Sequence, residues 1–77
     1  MHDSDASYET SDFYASYETS DVVAVAETEL ALLCFFREGE EIWIPKSQLL
    51  PESEVQTRGD VGTLVITRWI AMKNGLL

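Results

Sequence analysis

The sequence has very little of the chemistry that catalysis requires. Its 77 residues contain a single histidine, His2, and a single cysteine, Cys34. Nucleophilic catalysis needs a nucleophile, a base and an orienting group within hydrogen-bond reach, and the sequence does not supply such a set. Lys46 and Ser47 are adjacent along the chain, so their side chains diverge and do not form a dyad. We therefore expect no catalytic residue and a protein that is not an enzyme.

Patterns that bind metals or phosphate groups are also missing. Cys and His do not cluster, no stretch has the spacing of an EF-hand loop, and no glycine-rich loop resembles a phosphate cradle. The triplet Arg58-Gly59-Asp60 spells an integrin-recognition sequence, but we interpret it as part of a two-glycine turn. We expect neither a metal nor a cofactor, although the residues leave open the alternative that the Asp-rich N-terminal segment binds a hard cation.

A lone cysteine and short apolar runs indicate in which cellular compartment the protein is located. Cys34 has no partner for a disulfide within the chain, which favours a reducing compartment. It lies in the longest apolar run, residues 30–36, where we expect it to be a small core side chain. This run is far shorter than the ~20 residues of a membrane helix, and the acidic N-terminus does not resemble a signal peptide. The sequence predicts a cytoplasmic protein without a membrane partner.

Basic residues are scarce, and the N-terminal segment has none. Five Lys and Arg stand against fourteen Asp and Glu, for a net charge of −9. Residues 1–21 contain no Lys or Arg and sum to −6, whereas residues 22–77 sum to −3. Such a field repels nucleic acid and anionic membranes and steers the chain toward basic surfaces. We expect a basic protein partner and no direct nucleic-acid binding.

The acidic N-terminus is built as a repeat that contains aromatic rings. Residues 6–12, Ala-Ser-Tyr-Glu-Thr-Ser-Asp, recur letter for letter as residues 15–21. A tail that only solvates would avoid rings, whereas Tyr supplies contact area at low entropic cost. We interpret residues 1–21 as an extension that contacts a partner, with Tyr8, Phe13, Tyr14 and Tyr17 as anchors.

The remaining residues, 22–77, predict a small β-rich domain with a C-terminal helix. Gly39 is suited to a hairpin loop, Pro45 to a strand end, and Thr67 to the N-cap of a helix over residues 68–73. We expect Trp43 and Trp69 to pack in the core, with Trp69, Ile70 and Met72 as the buried helix face. Strands are predicted over residues 22–26, 30–36, 42–44, 54–57 and 63–66; residues 27–29 form either a turn or part of one long strand.

The predicted fold class is α+β. It is a small curled antiparallel sheet or open barrel with a C-terminal helix, preceded by the acidic extension. Closure of the sheet would limit exposed strand edges, which are a hazard for small domains.

Carboxylates form the most informative constellation. Three pairs of Glu occur at i, i+2 spacing: Glu27 and Glu29, Glu38 and Glu40, and Glu52 and Glu54. On a strand this spacing separates the two residues by ~6.6–6.8 Å, similar to the phosphate spacing of a nucleic-acid strand. Rows of this kind can imitate DNA, and the alternative is an acidic surface that only maintains solubility. The candidate partner-binding residues are Asp3, Asp5, Tyr8, Glu9, Asp12, Phe13, Tyr14, Tyr17, Glu18, Asp21, Glu27, Glu29, Glu38 and Glu40.

Residues 22–77 resemble a pattern found in small phage and mobile-element proteins. An apolar strand and a charged hairpin lead into Trp43-Ile44-Pro45-Lys46-Ser47-Gln48, and a Gly-Thr-Leu-Val strand at residues 62–65 precedes a helix bearing Trp69. A small, strongly acidic protein of this kind is similar to anti-CRISPR proteins that imitate DNA.

The resemblance implies a partner and a location. The partner would be the Lys- and Arg-lined DNA-binding or PAM-reading surface of a type I CRISPR effector, on its large subunit or backbone subunit. The location would be the cytoplasm of a bacterial host cell. The alternative is a non-enzymatic phage accessory module that binds another protein and carries an acidic solubilising tail.

Overall fold

A computed structural model describes residues 15–77 and confirms the α+β class. Four antiparallel strands form one open sheet in the order β3-β2-β1-β4, and a short helix follows the last strand. The elements are β1 (Ser16–Glu27), β2 (Ala31–Phe35), β3 (Glu41–Pro45), a 3₁₀ turn (Lys46–Gln48), β4 (Val61–Thr67) and α1 (Arg68–Lys73).

The first strand starts earlier than the sequence pattern predicts. β1 begins at Ser16, so the boundary predicted at Asp21 falls inside it, and residues 16–21 belong to the sheet. Tyr17 lies opposite Ile66 and Thr19 lies opposite Leu64. Because Tyr17 and Thr19 alternate with polar residues, this acidic stretch has the period of a half-buried strand.

The core lies on one face of the sheet, under the helix. Alternate residues of β2, Leu32 and Cys34, are fully buried, as is Ile44 of β3. From α1, Ile70 and Ala71 join the same cluster. Cys34 is therefore the core side chain that the sequence predicts, and burial raises the pKa of its thiol to about 11.

The segment between the 3₁₀ turn and β4 is a loop, so the strand predicted over residues 54–57 is wrong. This loop runs along the outer edge of β4: Leu50 N–H donates to Val65 O at 3.0 Å, and Glu54 N–H donates to Thr63 O at 2.9 Å. Side chains complete the contact, since Ser53 Oγ accepts Val65 N–H at 3.0 Å. Side-chain oxygens occupy positions that a ladder would use, so the loop covers the edge without forming a strand.

Neither tryptophan is buried, which contradicts the prediction that both pack in the core. Trp43 is 46% exposed and Trp69 is 37% exposed. Trp43 lies between Ile42 and Ile44, which face the core, so strand alternation turns its ring to the opposite side. In α1 the buried residues are Ile70 and Ala71, whereas Met72 is exposed, because so short a helix presents only a narrow face.

Other local predictions are confirmed. Gly39 has a φ of +97° in the β2–β3 hairpin. Of the two alternatives for residues 27–29, the turn is correct but begins one residue later, because β1 includes Glu27 and residues 28–30 connect it to β2. Thr67 caps α1, where its Oγ1 accepts the Ile70 N–H at 3.3 Å.

The Thr67 hydroxyl connects α1 to the 3₁₀ turn, so substitutions of Thr67 test how the C-terminal helix is held. The hydroxyl caps α1 and also donates to Gln48 Oε1 of the 3₁₀ turn. Thr67→Ala should lower the free energy of unfolding by ~1–2 kcal/mol, because the cap is lost. Thr67→Ser keeps the hydroxyl and should retain most of that stability in urea denaturation followed by circular dichroism. Equal losses in the two variants would contradict a role for the hydroxyl.

Candidate interaction surface

The sheet face turned away from the core carries exposed apolar side chains. We define this outer face by Trp43, Phe35, Leu33, Val23 and Val61. Trp43 is 46%, Phe35 39% and Val61 65% exposed. Contiguous exposed apolar area on a small domain marks an interaction site, whereas scattered apolar residues do not.

Strand register makes these side chains neighbours. Phe35 lies opposite Val23, and Val23 lies opposite Val61, which forms a row across β2, β1 and β4. Leu33 lies opposite Trp43 in the next row. Leu33 and Phe35 are two residues apart on β2, so the two rows are ~6.6–6.8 Å apart and form one continuous patch.

The sequence contains a signal for this face. All five residues of β2, Ala-Leu-Leu-Cys-Phe, are apolar. A strand with one face in water normally alternates apolar and polar residues, whereas a strand covered on both faces is apolar throughout. In the described part of the chain the helix packs on the core face, and the outer face keeps its two exposed rings. The composition of β2 thus indicates a covering for the second face.

Carboxylates border the outer face at the β2–β3 hairpin. Glu41 lies opposite Phe35 on the same face, and Glu38 and Glu40 in the adjoining loop are exposed. We call Glu38, Glu40 and Glu41 the acidic rim. Arg37 of this hairpin forms an ion pair with Asp21 at 3.6 Å, but both groups are well exposed, so the pair adds little stability.

The hairpin also places the outer face beside a free strand edge. β3 is the last strand of the sheet, and no segment among residues 15–77 pairs with its other side. Glu41 supplies a charge at one end of this edge, and Pro45 lacks a backbone donor at the other. Such features discourage indiscriminate edge pairing, so a partner would have to match the side chains as well as the backbone.

Part of the predicted partner-binding set falls on this surface and part does not. Glu38 and Glu40 lie in the acidic rim. Asp21 is close to the rim, because it forms an ion pair with Arg37 of the same hairpin. Glu18 is exposed on β1. Tyr17 is partly buried against the core, so its ring is engaged in the fold. The predictions for Asp3, Asp5, Tyr8, Glu9, Asp12, Phe13 and Tyr14 lie outside the described residues.

The comparison of paired glutamates with DNA phosphates does not hold for the described pairs. Glu38 and Glu40 flank Gly39 in the hairpin, and Glu52 and Glu54 lie in the loop before β4. Glu27 ends β1, and Glu29 is in the following turn. Since each pair includes turn or loop residues, the regular spacing of a strand does not apply.

Glu27 instead links two other segments by hydrogen bonds, and we call Glu27, Lys46 and Arg58 together the Glu27 clamp. Its side chain accepts a hydrogen bond from Lys46 Nζ and, through Oε1, from the Arg58 N–H at 2.9 Å. These bonds, that from Lys46 above all, lower the pKa of the Glu27 carboxyl. The clamp lines an open cleft with Thr28 and Glu29 and joins the end of β1 to the 3₁₀ turn and to the turn before β4.

Residues 15–77 contain neither a cluster of metal-binding side chains nor a membrane-spanning helix. No group of three or more His, Cys, Asp or Glu side chains is placed to hold a metal ion. No helix in this part of the chain is long and apolar enough to cross a membrane.

Comparisons of the chain with protein-family models, with curated proteins and with solved structures found no match. The outer face and the acidic rim are therefore the features from which we infer a function.

The Glu27 clamp predicts a specific dependence of stability on pH. Because the pKa of Glu27 is lowered in the folded state, its charged form stabilises the fold above the ordinary pKa of 4.5. That stabilisation is lost as the pH falls through the lowered value. Glu27→Gln should therefore be less stable than the wild type at pH 7, and the difference should shrink on acidification.

Glu29→Gln is the matched control for this prediction, because it removes a neighbouring charge from the same cleft. Thermal denaturation between pH 7 and pH 3 measures both variants. The same pH profile for the two would contradict the clamp.

Proposed function

We propose that this chain is a non-catalytic binding module that docks its outer face and acidic rim on a basic protein surface. One observation carries the proposal: β2 is apolar on both faces, and within residues 15–77 the face turned away from the helix leaves Trp43 and Phe35 exposed beside Glu41. Aromatic residues with an apolar surround and a charged border are the usual anatomy of a protein interface.

The rings and the carboxylates would contribute in different ways. Desolvating an aromatic anchor at the centre of an interface supplies ~2 kcal/mol or more, whereas an exposed ion pair supplies ~0–1 kcal/mol. Affinity should therefore depend most on Trp43 and Phe35. The acidic rim and the net charge of −9 would act mainly on association rate and partner choice.

The target class implied by the sequence resemblance has matching chemistry. The DNA-binding and PAM-reading surfaces of CRISPR effectors are rich in Lys and Arg. We propose that the partner is such a surface on the large or backbone subunit of a type I effector, and that binding blocks recognition of target DNA. Because the paired glutamates of the described region do not follow a strand, any imitation of DNA would depend on the acidic rim and on residues 1–14.

The alternative is a phage accessory module that uses the same outer face on a different partner. In that case the acidic residues before β1 maintain solubility and do not enter the interface. The two functions differ in whether residues 1–14 are needed.

The first test removes one ring from the outer face. Trp43→Ser should weaken the affinity for the partner by at least ~10-fold, because a hot-spot ring contributes ~2 kcal/mol or more. This loss should appear as reduced inhibition in a plasmid-interference assay in cells that carry a type I CRISPR system. Trp69→Ser is the matched control, because it removes an exposed ring from α1, which packs on the core side. Circular dichroism checks that both variants fold. Equal losses would contradict docking through the outer face, and no protection by the wild type in any subtype would exclude the inhibitor.

The second test separates the two functions by truncation. The shortened chain must keep Ala15, because its carbonyl accepts the Arg68 N–H and β1 starts at the next residue. If residues 1–14 imitate DNA, a chain of residues 15–77 should inhibit more weakly, and its binding should depend less on salt. If they only solubilise, inhibition or partner binding should be unchanged.

A further inference from the structure

The second copy of the N-terminal repeat has a defined place in the fold. It contributes residues 16–21 to β1, and Ala15 O accepts the Arg68 N–H at 2.6 Å. Tyr17 packs against the core opposite Ile66, and Thr19 lies opposite Leu64. The contacts of this copy therefore follow β4 from Thr67, next to α1, to Leu64 in the middle of the strand.

The first copy, residues 6–12, has the same seven side chains in the same order. A register shift normally fails because it moves side chains to the wrong face or replaces them with others. A shift of nine residues in this chain does neither, since it brings Tyr8 to the place of Tyr17 and Asp12 to the place of Asp21. All the side-chain contacts of the second copy with β4 and the core are then available to the first.

The structure also contains a point where the extra residues could leave the sheet. The register of β1 with β4 shifts between Thr19 and Val22, and Asp21 has a φ of +60° at this irregularity. A loop inserted before Val22 would leave the pairing of Val22 with Gly62 unchanged. Residues 13–21 would form that loop, and the entropy of closing a loop rises only slowly with its length.

We propose that β4 and the adjoining core form a docking groove for the strand Ala-Ser-Tyr-Glu-Thr-Ser-Asp, and that either copy of the repeat fills it. The second copy is favoured because its pairing needs no inserted loop. The first copy replaces it when the second is disabled or bound elsewhere. This exchange would present residues 13–21, with Phe13, Tyr14 and Tyr17, to a partner while the sheet stays intact. The exchange does not depend on the proposed function.

The test disables each copy in the same way. Tyr8→Asp, Tyr17→Asp and the double variant each place a charge at the ring position of one copy or of both. Thermal denaturation of the full chain measures the midpoint. We expect Tyr8→Asp to leave the midpoint unchanged, Tyr17→Asp to lower it by less than half of the double variant's shift, and the double variant to lower it most.

Hydrogen exchange measured by mass spectrometry reports the exchange of strands directly. In the wild type, amide protection should lie in residues 16–21, and in Tyr17→Asp it should move to residues 7–12. Residues 13–14 and 22–23 differ between the copies, so the peptides that contain them are distinguishable.

Two results would overturn the proposal. The first is a Tyr17→Asp variant as unstable as the double variant, because the first copy would then contribute nothing. The second is a midpoint of Tyr17→Asp that rises with protein concentration, because the first copy would then come from a second chain.

Discussion

Every part of this fold depends on β1 pairing with two neighbours at once. Its second half pairs with β2, while its first half and middle pair with β4. β4 in turn leads into α1, which supplies Ile70 and Ala71 to the core. If the first half of β1 leaves the sheet, β4 loses a neighbour and the helix loses its support. The second copy of the acidic repeat is therefore part of the scaffold as well as part of the charge pattern.

The pairing also produces a sheet with two apolar faces. The core needs Leu32, Cys34 and Ile44 on one side, and α1 packs there. The other side carries Trp43 and Phe35, which the helix does not reach. Among residues 15–77 nothing covers these two rings, and an exposed apolar face of this kind favours association. In the proposed function the acidic rim would select among partners by repelling acidic ones.

Two groups of the described carboxylates differ in what they contact. Glu27, Glu54 and Asp60 accept hydrogen bonds from backbone amides and hold turns in place. For Asp60, the amides of Gln56 and Thr57 lower the pKa of the carboxyl. The acidic rim lies instead in and beside the exposed hairpin next to the outer face. A count of acidic residues does not separate these groups, because the difference arises from the partners that folding brings to each side chain.

The sequence by itself determined the local structure: the antiparallel class, the turn at Gly39 and the cap at Thr67. Each of these depends on neighbours within a few residues, where turn chemistry, capping and period-two alternation act. Only the tertiary structure decided that Trp43 faces outward, that residues 54–57 run along the edge of β4 without forming a strand, and that β1 begins at Ser16. Alternation shows that neighbouring residues of a strand face opposite sides, but it does not show which side is covered. That choice depends on α1 and β4, which lie far from β2 and β3 in the sequence and meet them only when the chain folds.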